Sequence, residues 1–126
     1  LQGQPAPAQV AVDFVAGQTK AQPNEVFAVV FLNSQHQVLA YEPMFKGTVD
    51  QTSVYPRVLV QRALALNASA VILAHQHPSG MTVPSAADQA LTDRLKAALA
   101  IVDVRVVDYF IVGKGTPYSF AESGLL

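Results

Sequence analysis

Residues 68–88 read Ala68-Ser69-Ala70-Val71-Ile72-Leu73-Ala74-His75-Gln76-His77-Pro78-Ser79-Gly80-Met81-Thr82-Val83-Pro84-Ser85-Ala86-Ala87-Asp88. The short apolar run from Ala68 to Ala74 predicts a strand buried on both faces, and it ends where two histidines begin. Pro78-Ser79-Gly80 then breaks the strand, with Gly80 free to take a positive φ, and turns the chain toward a helix that starts at Pro84 and Ser85. A buried strand running through a turn into a helix is a building unit of α/β sheets, which place their sites at the carboxyl ends of strands.

On the carboxyl side, Ser85 to about Ile101 carries Leu91, Leu95, Ala98 and Leu99 on one helical face and Asp93, Arg94 and Lys96 on another. Val104 to Val112 is β-branched and aromatic and predicts a strand, and Pro117 to Phe120 adds a short edge strand. On the amino side, Asn24 to Leu32 is a second doubly buried strand. Asn33-Ser34-Gln35-His36 is its hairpin turn and Gln37 to Phe45 the antiparallel second arm. His36, among polar neighbours in that turn, reads as a surface residue without a functional role. Gly47 and the polar residues Thr48 to Ser53 make a loop. Val58, Leu59, Val60, Ala63, Leu64 and Leu66 then give a helical stripe ending near Asn67. Strand, helix and strand in this order suggest a crossover with parallel strands. A short amphipathic helix is expected within Ala8 to Gln18, on Val10, Val12, Phe14 and Val15. The sum is an α/β (α+β) fold: a mixed sheet of about four or five strands flanked by helices.

The chain has 126 residues, half of them hydrophobic and 13% charged, which suits one compact domain. Leu1 to Gln9, rich in Pro, Gln and Ala, reads as a linker-like segment before a domain spanning residues 10–126, as in the C-terminal part of a longer protein. The net charge is -1, and Lys20, Lys46, Lys96 and Lys114 are scattered without interleaved aromatics, so direct nucleic-acid binding is not expected. There is no cysteine, which excludes disulfides, thiolate nucleophiles and Cys-ligated zinc sites. No apolar run is long enough to span a membrane and no signal-like start is present, and the expectation is a cytoplasmic chain without a membrane partner. The oligomeric state is not legible.

His75 and His77 are two residues apart, so in an extended chain both imidazoles point to one side. Ser85 is a natural N-cap, which puts Asp88 in the first helical turn, facing back toward the helix start. Two imidazoles and a carboxylate at one sharp corner form a three-ligand site with a fourth position open to water, the layout of a catalytic zinc. Each part also has a plainer reading. Ser85 and Asp88 fit a capping box with Asp in place of Glu, and the histidines could simply bond a loop at a strand end. Their joint occurrence favours the metal. A helix-borne His-Glu-x-x-His is absent.

His75-x-His77, seven residues, Ser85, two residues, Asp88 matches the JAMM motif, and the chain resembles the JAB/MPN metalloproteases. Phe45-Lys46-Gly47-Thr48-Val49-Asp50, Ser53-Val54-Tyr55-Pro56-Arg57 and Ala70 to Gly80 resemble the RadC branch, with the likeness running from about Val10 to Gly124. Gln76 stands where RadC proteins usually carry Asn, and Val58 where Glu is common. The resemblance implies a curved mixed sheet of the JAB/MPN, cytidine-deaminase-like architecture, with Zn2+ held by His75, His77 and Asp88. It also implies an upstream glutamate as proton carrier, for which Glu25 fits best and Glu42 second, and an oxyanion donor, Ser85. The implied function is zinc-dependent peptidase or isopeptidase activity on a peptide or protein substrate. The alternative is a DNA-repair-associated protein whose JAB/MPN domain is an interaction module without turnover.

Overall fold

In a computed structural model, residues 25–46, 54–77, 84–113 and 117–126 are described. The expected helix within Ala8 to Gln18, the linker-like start, the loop at residues 48–53 and the Pro78-Ser79-Gly80 turn lie outside the described residues. The elements are β1 (Val26–Leu32), β2 (Val38–Lys46), α1 (Pro56–Ala65), β3 (Ala70–Gln76), α2 (Ala86–Ile101), β4 (Arg105–Val112) and β5 (Tyr118–Ser119). They form one five-stranded mixed sheet in the order β2-β1-β3-β4-β5, the α/β fold expected from the sequence.

Every residue of β1 is buried, as is β3 from Ala70 to His75, because these strands lie inside the sheet and their apolar runs serve both faces. On one face Phe27, Val29, Phe31, Val71, Leu73, Tyr109 and Ile111 pack under Leu59 and Ala63 of α1 and Leu91, Leu95 and Leu99 of α2. Among the described residues, the other face is built from strand side chains alone, including Val30, Ile72 and Phe110. The neighbours β1 and β3 pair antiparallel, and the hydrogen-bonded parallel pair is β3 with β4, joined by α2. The crossover from β2 through α1 to β3 does link strands of the same direction, but β1 lies between them. The order of elements specifies a crossover; it does not specify which strand is hydrogen-bonded to which.

At the edge, Phe27 pairs with Phe45 and Ala28 with Pro43, so Met44 is the extra residue of a bulge. Pro43 cannot donate to a ladder, and an edge strand beside a bulge is where a sheet tolerates it. Pro56 opens α1 in its first turn, where the missing N–H costs nothing. Both helices end with a residue in the left-handed region, Asn67 at φ 56 and Asp103 at φ 60. The following amides, of Ala68 and Val104, close back onto Ala63 O and Leu99 O at 2.9 Å in each case. Asp103 is exposed and its carboxylate sits at the negative end of the α2 dipole. Asp103→Gly is therefore expected to raise stability by about 0.5–1 kcal/mol, read as a higher denaturation midpoint at unchanged slope. No helix among the described residues is long and apolar enough to cross a membrane.

Candidate metal centre

The parallel ladder of β3 with β4 continues one residue beyond β3, where the His77 amide donates to Val112 O at 2.9 Å. That keeps residues 75–77 extended and brings both imidazoles to one side, their ring centroids 4.3 Å apart. The antiparallel register sets Phe27 opposite His75 and Val26 opposite Gln76, so Glu25, immediately before β1, arrives opposite His77. From α2, Asp88 enters in the first turn. Three distant pieces of chain thus deliver Glu25, His75, His77, Ser85 and Asp88 to one end of the sheet.

His75 and Asp88 are almost fully enclosed, 2% and 4% exposed, whereas Glu25 and His77 are partly open to solvent. His75 Nδ1 lies 3.0 Å from Asp88 Oδ1. The Ser85 amide and hydroxyl donate to Asp88 Oδ2 at 3.0 and 2.9 Å, and the Asp88 amide donates back to Ser85 Oγ at 3.0 Å. The capping box is therefore formed, with Asp taking the role usually played by Glu. Burial opposes charge on Asp88, but the hydrogen bonds from His75 and from the Ser85 amide and hydroxyl outweigh it. The carboxyl is held well below the usual carboxylate range.

An ionised carboxylate only accepts, so the bond to Asp88 places a proton on His75 Nδ1, and in the neutral ring Nε2 is then the atom with the lone pair. His75 Nε2 is buried without a hydrogen-bond partner among the described residues, and so is His77 Nε2. Each faces a carboxylate oxygen: His75 Nε2 lies 3.4 Å from Glu25 Oε2, and His77 Nε2 lies 3.6 Å from Asp88 Oδ2. A lone pair on His75 Nε2 set against Glu25 Oε2 calls for a cation between them. Two donors on one tetrahedral zinc, with bonds of about 2.1 Å, lie roughly 3.4 Å apart, close to both separations. Donor atoms of Glu25, His75 and His77 all fall within 4.8 Å of one another. The residues present thus fit a divalent metal, and the group whose donor atoms converge this closely is Glu25, His75 and His77, with Asp88 outside it.

Glu42 is placed elsewhere: its carboxylate receives Arg62 Nε at 2.8 and 2.7 Å, joining β2 to α1. Sequence reasoning missed Tyr109, whose hydroxyl lies 3.5 Å from Asp88 Oδ1 and whose side chain is fully buried. Burial raises its pKa well above the ordinary value, and the charge of Asp88 adds to the effect. Only the pairing of β3 with β4 brings Tyr109, which lies 21 residues along the chain, against Asp88.

Against known proteins, residues 6–125 match the family model described as RadC-like JAB domain. A UPF0758 protein of Methylibium petroleiphilum is 60% identical over 118 residues, which cover 94% of this chain and 53% of that protein. A UPF0758 protein of Leptothrix cholodnii is 58% identical over the same shares, and one of Ectopseudomonas mendocina is 56% identical over 92% of this chain and 52% of its own length. The chain spans about half the length of these curated relatives. A match across nearly the whole sequence, on a sheet and corner of the kind that the histidine motif implied, makes this chain a member of the RadC-like JAB domain family.

Proposed function

We propose that the chain is a zinc-dependent hydrolase of amide bonds, a peptidase or isopeptidase, with His75, His77 and Asp88 as the metal ligands. The observation that carries this reading is the pair of buried Nε2 atoms of His75 and His77, without a hydrogen-bond partner among the described residues and flanked by the carboxylates of Glu25 and Asp88. A bound zinc supplies Lewis acidity, which lowers the pKa of water toward about 7 and polarises a carbonyl. Asp88 orients His75 through Nδ1 and fixes its tautomer. Glu25, partly open to solvent beside His75, takes a proton from the attacking water and delivers it to the leaving amine. Ser85, exposed at the start of α2, serves as an oxyanion donor once its hydroxyl turns from Asp88 toward a substrate. The substrate is a peptide or protein.

Elemental analysis of the purified chain is expected to give about one zinc per molecule, lost in His77→Ala and Asp88→Asn. With a peptide or isopeptide substrate in hand, Glu25→Gln is expected to keep the zinc and lower kcat by at least about 100-fold. Absence of zinc after reconstitution would sink the hydrolase reading and favour an interaction module. Zinc loss in Glu25→Gln would instead make Glu25 a ligand.

A further inference from the structure

At the opposite end of the strands, about 20 Å from the histidine pair by strand rise, a second constellation has formed around residues to which the sequence assigned no role. It is a pocket of about 230 Å³ lined by Asn33, Ser34 and His36 of the β1–β2 turn, Ser69 and Ala70 at the start of β3, and Arg105 at the start of β4. We propose that this pocket binds a phosphate group, with Arg105 and His36 as its principal contacts.

Charge is the first argument. Arg105 Nη2 lies 3.3 Å from His36 Nε2, so a permanent cation and an imidazole are held side by side. No carboxylate lines the pocket among the described residues. The guanidinium offers a planar fork of donors that matches phosphate oxygens, and among the described residues its side-chain partner is the His36 imidazole alone. The hydroxyls of Ser34 and Ser69 add short polar groups to the lining.

Preorganisation is the second argument. His36 sits at φ 59, a left-handed conformation that a residue with a Cβ does not take freely. Its turn is held by Asn33, whose Oδ1 accepts from the Gln35 and Gln37 amides at 2.9 Å each. The Asn33 amide donates to Gln37 O at 3.0 Å and the His36 amide to Asn33 O at 2.9 Å. The Arg105 amide donates to Ser69 O at 3.1 Å, and the Ser69 amide to Leu32 O at 2.8 Å, tying the three segments of the rim together. The contacts of a bound phosphate would therefore be in place before it arrives, which lowers the entropic cost of binding.

The test is a titration of the metal-free 126-residue chain with inorganic phosphate at constant ionic strength, following the backbone amides of Ser34, His36, Ser69 and Arg105 by NMR. Saturable shifts confined to these residues are expected, with Kd in the millimolar range or tighter. Arg105→Gln is expected to weaken binding at least about tenfold, and Arg105→Lys to fall between, since it keeps the charge and loses the fork. Arg105 is exposed, so both variants should melt as the wild type does. Glycerol 2-phosphate separates the sources: stronger binding of the ester points to a phosphorylated metabolite, weaker binding to free phosphate. Equal binding of acetate, absence of saturation, or shifts that persist in Arg105→Gln would overturn the proposal. Shifts that persist in His77→Ala set this pocket apart from the candidate metal centre.

Discussion

Asp88→Ala is expected to destabilise the metal-free chain by about 2–4 kcal/mol and to abolish zinc binding. Loss of the N-cap partnership with Ser85 costs about 1 kcal/mol, and leaving the enclosed His75 Nδ1 without its acceptor adds about 1–3 kcal/mol. The effect is large because the carboxylate is 4% exposed and both its oxygens are engaged, one by His75 and one by Ser85. Its pKa is lowered on folding, so the stabilisation is fully present above the unfolded-state value of about 3.9 and is lost as pH falls toward the folded value. In urea titrations the gap between wild type and Asp88→Ala should therefore narrow below about pH 4. A gap that holds its full width down to pH 3 would mean that the carboxylate charge contributes nothing.

Tyr109→Ala is expected to cost about 3–5 kcal/mol, whereas Tyr109→Phe should cost less than about 1 kcal/mol. Tyr109 is among the largest fully buried side chains, with its ring centroid 4.8 Å from that of Phe120 and 6.2 Å from that of Phe27. Truncation to Ala leaves a cavity beneath α2, while Phe keeps the ring contacts and gives up only the long contact to Asp88. The phenol also predicts an alkaline signature. Burial beside Asp88 raises its pKa on folding, so its stabilising contribution is complete below the unfolded value of about 10 and is lost as pH rises above it. Phenolate absorbance should show one tyrosine that titrates only as the chain unfolds, and Tyr109→Phe should remove that late step. Full ionisation of all tyrosines in the native state would contradict the buried placement.

Most of the fold was legible because its signals are local. The apolar runs of β1 and β3 mark doubly buried strands, and the Leu91, Leu95, Leu99 spacing marks the inner face of α2. The meeting of His75 and His77 with Asp88 was legible for the same reason: strand period and an N-cap act within a few residues, and the motif lies in a single stretch. The choice between Glu25 and Glu42 was not local. Both are single acidic residues on the two arms of one hairpin, and what separates them in space is the β1–β3 register on one side and Arg62 of α1 on the other.

By itself, then, the sequence determined the order of elements, the capping box at Ser85 and the proximity of His75, His77 and Asp88. Only the tertiary structure decided that β1 lies between β2 and β3, that Glu42 is drawn off to Arg62 of α1, and that Tyr109 stands over Asp88. It also decided that His36 meets Arg105 across 69 residues of chain. The division follows from range. Capping, turn chemistry and hydrophobic period act between residues a few positions apart, whereas strand pairing chooses among partners of similar local preference, and that choice is made by what the whole core can bury together.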